Sequence, residues 1–371
     1  MAYELPLIVG GVAAVTLAVA SRARSVTPYA YLMAKIRAWE ARMLTDSKFE
    51  GLATSGSLEG FISGLRGTDY ERALEEVGED VEGIESALNR ELVQTYDRLL
   101  ELVPERVRPF VEKFAERLDV GNLKLIVQVA SGGVDRETAI SHLTGGTVFS
   151  RERLEAMAGS ESVPDLVEQL SETDYYQQLR PYMEPGEYDP RELMRAIEHS
   201  YYRSLWHRIE ELDRRNRSIA RDLIGLEIDL ANVRLLFRLK SVGVHPDLIM
   251  KNVIPVEANL TEETLRQCAQ AEDTEQVRTI LLGSSLRRLL TGIFAEARDR
   301  VTEIERLTNE AVLNHSKTMS LMKPLTVATL VAYLYQKHSE IGNLRTVARG
   351  TGDGVETDYI KSMVTRVARI E

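Results

Sequence analysis

A short phrase recurs along this chain at an even spacing. It reads Asn122-Leu123-Lys124, then Asn232-Val233-Arg234, then Asn343-Leu344-Arg345, so the asparagines lie 110 and 111 residues apart. A glycine stands eleven positions after each of them, at Gly133, Gly243 and Gly354. One such fragment is uninformative. Three copies at one period, each with its glycine, mean a unit of roughly 110 residues used about three times. A chain built this way is expected to fold as similar lobes with pseudo-threefold shape. It has no need of a single catalytic cluster.

Other positions recur at similar offsets, 105 residues from the first unit to the second and 111 from the second to the third. Thr68-Asp69-Tyr70 matches Thr173-Asp174-Tyr175, and apolar residues recur in step: Phe49 with Leu154 and Leu265, Leu65 with Leu170 and Leu281, Leu74 with Leu179 and Leu290. Ser150 and Thr261 occupy matching places and each is expected to cap the short helix after it. Apolar positions persist while polar ones drift, as expected of a repeat that preserves packing. A weaker copy of the phrase, Lys35-Ile36-Arg37, opens the chain without its asparagine. The order is then phrase, short helices, long hairpin, three times over, with a truncated unit at the end. The last 28 residues are expected to complete the bundle that the N-terminal copy begins.

Hydrophobic residues fall at helical steps of three and four. Val81, Ile84, Leu88, Leu92, Tyr96, Leu99 and Val103 form one face, and a second helix is expected from Pro104 through Leu118. Asp189, with Pro190 after it, opens a helix through Leu212, and Ile219 to Phe237 form the next stripe. A third pair is expected over 286–313 and 324–338. Each Asn phrase thus sits near the end of a long helix, with its glycine in the connection that follows, where a positive φ is useful. The fold class is all-α: three pseudo-symmetric helical lobes forming a funnel, plus an N-terminal apolar helix. Repeat boundaries divide the chain into 1–27, 28–121, 122–231 and 232–371.

Composition limits the function. Of 371 residues, 46 are Lys or Arg and 57 Asp or Glu, a formal charge of −11 that argues against nucleic acid, since phosphate binding needs clustered cations. A lone cysteine, Cys268, excludes an internal disulfide and a cysteine-based zinc site. Leu5 to Ala20 carries no charge and is followed by Arg22 and Arg24. It is short for a span, which needs about 20 apolar residues. It either inserts in the bilayer, with those arginines cytoplasmic, or buries against a partner as a helix. The later apolar run, Leu325 to Leu334, reads as a core helix.

No catalytic constellation is found. There is no GxxxxGK[ST] loop, and Gly350-Thr351-Gly352-Asp353-Gly354 has no strand before it, so it reads as a loop after a helix. His142, His199, His207, His245, His315 and His338 are scattered without a HExxH motif. No catalytic, cofactor-binding or metal-ligating residues are therefore assigned. Arg214-Arg215-Asn216-Arg217, with Arg221, is the best basic patch. It reads either as a solvated turn with cations near helix ends or as a contact for acidic partner surfaces. Asn122, Asn232 and Asn343 read as buried amides satisfying backbone groups, because one function rarely needs three copies of its key residue.

The string Tyr29-Ala30-Tyr31-Leu32-Met33-Ala34-Lys35-Ile36-Arg37 resembles the opening of the C subunit of A-type (V/A-type) ATP synthases. Leu226-Glu227-Ile228-Asp229-Leu230-Ala231-Asn232-Val233-Arg234 is similar to another segment of that family. The repeated phrases and the length agree, and the resemblance covers about 28–371. It implies a funnel of three helical lobes, related to the d subunit of vacuolar ATPases. It also implies a non-catalytic role in the central stalk, without cofactors. The protein would join the D and F subunits of the central shaft to the membrane ring of proteolipid subunits and transmit torque, on the cytoplasmic side of the cell membrane. No small-molecule substrate is implied. Arg214, Arg215 and Arg217, and the tips after Gly133, Gly243 and Gly354, are the interface candidates. The alternative is a membrane-tethered helical adaptor or assembly factor. The apolar N-terminal segment departs from the compact family pattern.

Overall fold

A computed structural model describes residues 29–75, 77–183, 188–298 and 300–365. The apolar segment 5–20 lies outside the described residues. Among the described residues the chain is helical and contains no strand. No described helix is long and apolar enough to cross a membrane.

Helices of 14 residues or more set the architecture: Val81–Leu100, Arg117–Ala130, Pro190–Glu210, Arg214–Ser241, Val301–Met322 and Val327–Gly352. They pack in a closed circle. The 81–100 helix lies on 327–352, which lies on 301–322, which lies on 214–241. That helix lies on 190–210, which lies on 117–130, and the short Arg108–Ala115 helix joins 117–130 back to 81–100. The 214–241 and 327–352 helices also touch directly. This explains why the stretch read as a core helix lacks a polar face. Every residue from Val327 to Tyr335 is buried, because the helix has neighbours on several sides.

Helices near both ends of the described chain meet in the same manner. The Asp46–Ala53 helix packs on both the 327–352 helix and the C-terminal Thr357–Met363 helix. Its N-cap is Thr45, whose hydroxyl accepts from Lys48 N–H at 3.3 Å. Ser150 and Thr261 cap the matching helices by accepting from Arg153 and Thr264 N–H at 3.3 and 3.2 Å. Asp189 caps the 190–210 helix through Arg191 N–H at 2.9 Å.

Three expectations need correction. Pro104 does not open a helix. It lies in a turn whose carbonyl accepts from both Val107 and Arg108 N–H, and Pro109 occupies the first turn of the next helix. The stretch 286–313 is not one helix either. Arg287–Ala297 ends at Arg298, whose φ of +48° breaks the helical path before Val301. The glycines at 350 and 352 are helical, not in a loop. A Cβ on Gly350 would come within 2.7 Å of Ile360 Cγ1, and one on Gly352 within 2.4 Å of Val81 Cγ2. They are small because two neighbouring helices press against that turn.

Candidate docking surface

Each letter of the repeated phrase has a separate structural consequence. The asparagine amide spans one backbone residue 22 positions on. Asn122 donates through Nδ2 to the Thr144 carbonyl at 2.6 Å and accepts through Oδ1 from Thr144 N–H at 3.0 Å. Asn232 does the same with Ile254, at 3.3 and 2.9 Å, and Asn343 with Thr365, at 2.8 and 2.9 Å. All three asparagines are buried. A carboxamide has both a donor and an acceptor on one plane, so it satisfies an N–H and a C=O of one residue together. Each clamp ties the end of a short helix (Arg136–His142, Pro246–Asn252 or Thr357–Met363) to the long helix before it.

Three residues before each asparagine stands an acid that the phrase did not reveal. Asp119 is fully buried and accepts from the N–H groups of Thr147, Val148 and Phe149. Asp229 accepts from Asn259 and Leu260 N–H. Burial raises both carboxyls above the ordinary aspartate range, and these hydrogen bonds pull the other way. The third copy has Glu340, which accepts from Leu44 N–H, near the start of the described chain. It also accepts from Tyr70 and from Lys337 Nζ, the latter at 2.9 Å with both charged side chains buried.

The glycines end the long helices, but not all at the expected residue. Gly243 and Gly354 adopt φ of +71° and +68°. In the first unit the left-handed residue is Gly132, at +74°, and not Gly133. The bonds agree: Gly133, Val244 and Val355 N–H reach back to the carbonyls of Gln128, Leu239 and Gly350, closing a Schellman turn in each unit. The first cap comes one residue early, while each short helix still begins 14 residues after its asparagine.

Five residues before each asparagine stand Arg117, Glu227 and His338, and these repeat-equivalent positions come together. Arg117 lies 3.7 Å over the Phe114 ring and donates from Nη2 to Glu227 Oε2 at 3.3 Å. Glu227 also accepts from the hydroxyls of Tyr335 and Tyr202. Burial opposes the Arg117 charge, but the Glu227 carboxylate together with Tyr201, Tyr335 and Tyr96 outweighs it and holds the guanidinium well above its usual range. Burial, then the cationic Arg117 and Arg345, push the His338 imidazole down to about 4.

All three line two adjoining cavities of about 440 and 420 Å³. A third cavity of about 550 Å³ shares Lys124, Gln128 and Glu198 with the first and Arg234 with the second. Together they form one concavity walled by helices from each repeat. Hydrogen bonding, ion pairing and steric fit are what this wall offers. Among the described residues no group of three or more His, Cys, Asp or Glu side chains is placed to hold a metal ion. Cys268 is buried, and burial raises its thiol to about 12.

The basic patch lies elsewhere. Arg214 and Arg215 are exposed at the start of the 214–241 helix. Arg217 is engaged locally, donating from Nε and Nη2 to the Leu212 carbonyl at 3.2 and 2.9 Å. Tyr29 is close by: its hydroxyl accepts from Asn216 Nδ2 at 3.2 Å, and burial, then Asp213, pushes that hydroxyl up to about 12. This is the hairpin-turn end of the molecule, and Leu321 and Met322 are exposed there. Exposed apolar side chains also mark the glycine caps, at Val242, Leu248, Val355 and Tyr359.

Known proteins resemble this chain over most of its length. The ATP synthase (C/AC39) subunit family matches residues 32–363. The A-type ATP synthase C subunit of Pyrococcus abyssi is 29% identical over 344 residues, covering 92% of this chain and 91% of its own. The C subunits of the A-type ATP synthases of Thermococcus kodakarensis and Methanocaldococcus jannaschii are 29% and 25% identical, covering 92% and 91% of this chain and 92% and 86% of their own. With more than half of its length matched, this chain belongs to the ATP synthase (C/AC39) subunit family.

Proposed function

We propose that the chain is a non-catalytic central-stalk component of a rotary A-type ATP synthase, coupling the shaft to the membrane ring. It passes torque between ATP synthesis or hydrolysis and ion translocation. The observation that carries this reading is the concavity, walled by matching helices of the three repeats with Arg117, Glu227 and His338 at its centre. A socket of that kind holds a partner by shape and transmits force through stiff helices. The family, and relatives named as the C subunit of the A-type ATP synthase, supply the assembly.

In this reading the helices form three lobes of a funnel. The end of the shaft, built from the D and F subunits, enters the concavity beside the apolar tips at Val242, Leu248, Val355 and Tyr359. The hairpin-turn end, with Arg214 and Arg215 exposed, faces the proteolipid ring and the cytoplasmic surface of the membrane. That assignment follows from Tyr29, which sits at that end and follows the uncharged segment 5–20 and its arginines in the sequence. Anionic headgroups attract basic residues there.

The test is affinity capture of the tagged full chain from native membranes. Shaft and ring proteins are expected with it at about one copy of this chain per complex. Recovery of the chain without rotary partners would sink the reading and favour an independent adaptor.

A further inference from the structure

The asparagine of the repeated phrase is consumed by the backbone clamp, but its basic letter is not. Lys124 and Arg234, the basic letters of the first two units, line the same 550 Å³ cavity. Arg191, Arg195 and Arg238 line it too. Five cations thus gather around one opening in a chain whose formal charge is −11. Carboxylates answer only some of them: Glu198 pairs with Lys124 at 2.9 Å, Glu192 with Arg195 at 3.0 Å and Glu305 with Arg238 at 2.7 Å. Glu192 is also shared with Lys251, at 3.8 Å. Among the described residues Arg191 and Arg234 have no ion pair.

Arg234 is the telling member. It is half-buried, and its hydrogen bond to Thr308 Oγ1 is long, at 3.5 Å. A guanidinium carries five donors in a planar fork that suits carboxylates, and leaving it under-partnered inside a protein is costly. Burial lowers its pKa, and the charges of Tyr202, Glu227 and Glu305 oppose that without reversing it.

We infer that this cavity is the seat for an acidic segment of the partner that enters the concavity, with Asp or Glu carboxylates reaching Arg191 and Arg234. The inference rests on the docking reading above and adds the chemistry of the contact. A protein segment fits better than a small anion. The cavity is open and runs into two neighbours of 440 and 420 Å³, and three of its cations already share carboxylates, as in a polar interface. Oppositely charged surfaces of this kind set association rate and register.

The experiment measures binding of the full chain to the D and F subunits of the shaft from the same organism at 50 and 300 mM NaCl. Variants are Arg191→Gln/Arg234→Gln and, because Arg234 is half-buried, the more exposed pair Arg191→Gln/Arg238→Gln. Arg287→Gln/Arg288→Gln, at exposed positions of the Arg287–Ala297 helix outside the three cavities, is the control, and circular dichroism checks folding. Affinity is expected to fall at least tenfold in both cavity variants at low salt and to stay unchanged in the control. The salt dependence of the wild type should shrink in the cavity variants. Tight binding that ignores salt and both cavity variants overturns the inference and leaves docking intact. Absence of any binding overturns the docking reading as well. If tripolyphosphate at 1 mM raises the wild-type melting temperature but not the variant's, while shaft binding is untouched, the cavity is a small-anion site and the inference fails.

Discussion

Asn232→Ala separates a clamp from a contact residue. Asn232 is 1% exposed and bonds both backbone groups of Ile254, itself 6% exposed. Truncation leaves that N–H and that carbonyl without their side-chain partner at the wall of the 550 Å³ cavity, which Asn232 and Ile254 both line. An unsatisfied buried group costs about 1–3 kcal/mol, so two set an upper range of roughly 2–6 kcal/mol of lost stability, which water entering from the cavity lowers. Asn232→Asp keeps the acceptor but turns a donor into a carboxylate oxygen facing a carbonyl, and is expected to be at least as damaging near pH 7. A chain of this length need not unfold in one step, so the assay pairs urea unfolding with amide exchange. Exchange should quicken across 246–260 before it does in the 81–100 helix, because the clamp holds the Pro246–Asn252 helix to its neighbour. Refutation would be stability within about 0.5 kcal/mol of wild type, the range of inert surface changes, combined with weakened shaft binding. The asparagine would then be a binding residue.

Other consequences follow from the same geometry. Gly132→Ala should cost about 1 kcal/mol because a Cβ is disfavoured at φ of +74°, whereas Gly133→Ala should be nearly neutral; thermal melts of the pair decide whether the cap is placed correctly. Lys337→Met leaves Glu340 buried without its cation and should lose about 3–5 kcal/mol, measured by urea unfolding, with part recovered when Glu340 is also made apolar. His199 is pushed down to about 4 by burial and then by Arg203. Between its unfolded value near 6.5 and 4 the unfolded chain binds a proton that the folded one refuses, so stability attributable to this residue falls as pH drops through that window. The loss of stability from pH 7 to pH 4.5 should therefore be smaller in His199→Gln, and an identical slope would contradict the assignment.

Much of the helical order was readable because burial repeats in the sequence. Asn122, Asn232 and Asn343 keep one residue type, so their period is visible without a structure. Ser150, Thr261 and Asp189 announce helix starts through the capping chemistry of their side chains. The acid three positions earlier was harder to see, since Asp119 and Asp229 become Glu340 where the longer side chain reaches Leu44 at the other end of the chain. Arg117, Glu227 and His338 share no chemistry at all. A search for like residues passes over them, and only counting back five from each asparagine finds them. Their kinship is positional: they converge because their helices do, Arg117 and Glu227 as an ion pair and His338 as a neutral imidazole beside them. The break at Arg298 and the turn at Pro104 escaped because helical periodicity continues across both. The cation cavity was hidden for another reason, as Arg191, Arg195 and Arg234 come from two helices whose contact the sequence does not declare.

The central claim is that the inner wall, and not the outer surface, receives the shaft. A photo-crosslinking residue at Gln128, which lines two of the three cavities, compared with one at the exposed Glu59 on the outer Leu58–Gly64 helix, tests it in the assembled complex. The account predicts an adduct with a shaft protein from position 128 and none from position 59. A shaft adduct from position 59 alone, or from neither position in a complex that still contains this chain, would contradict it.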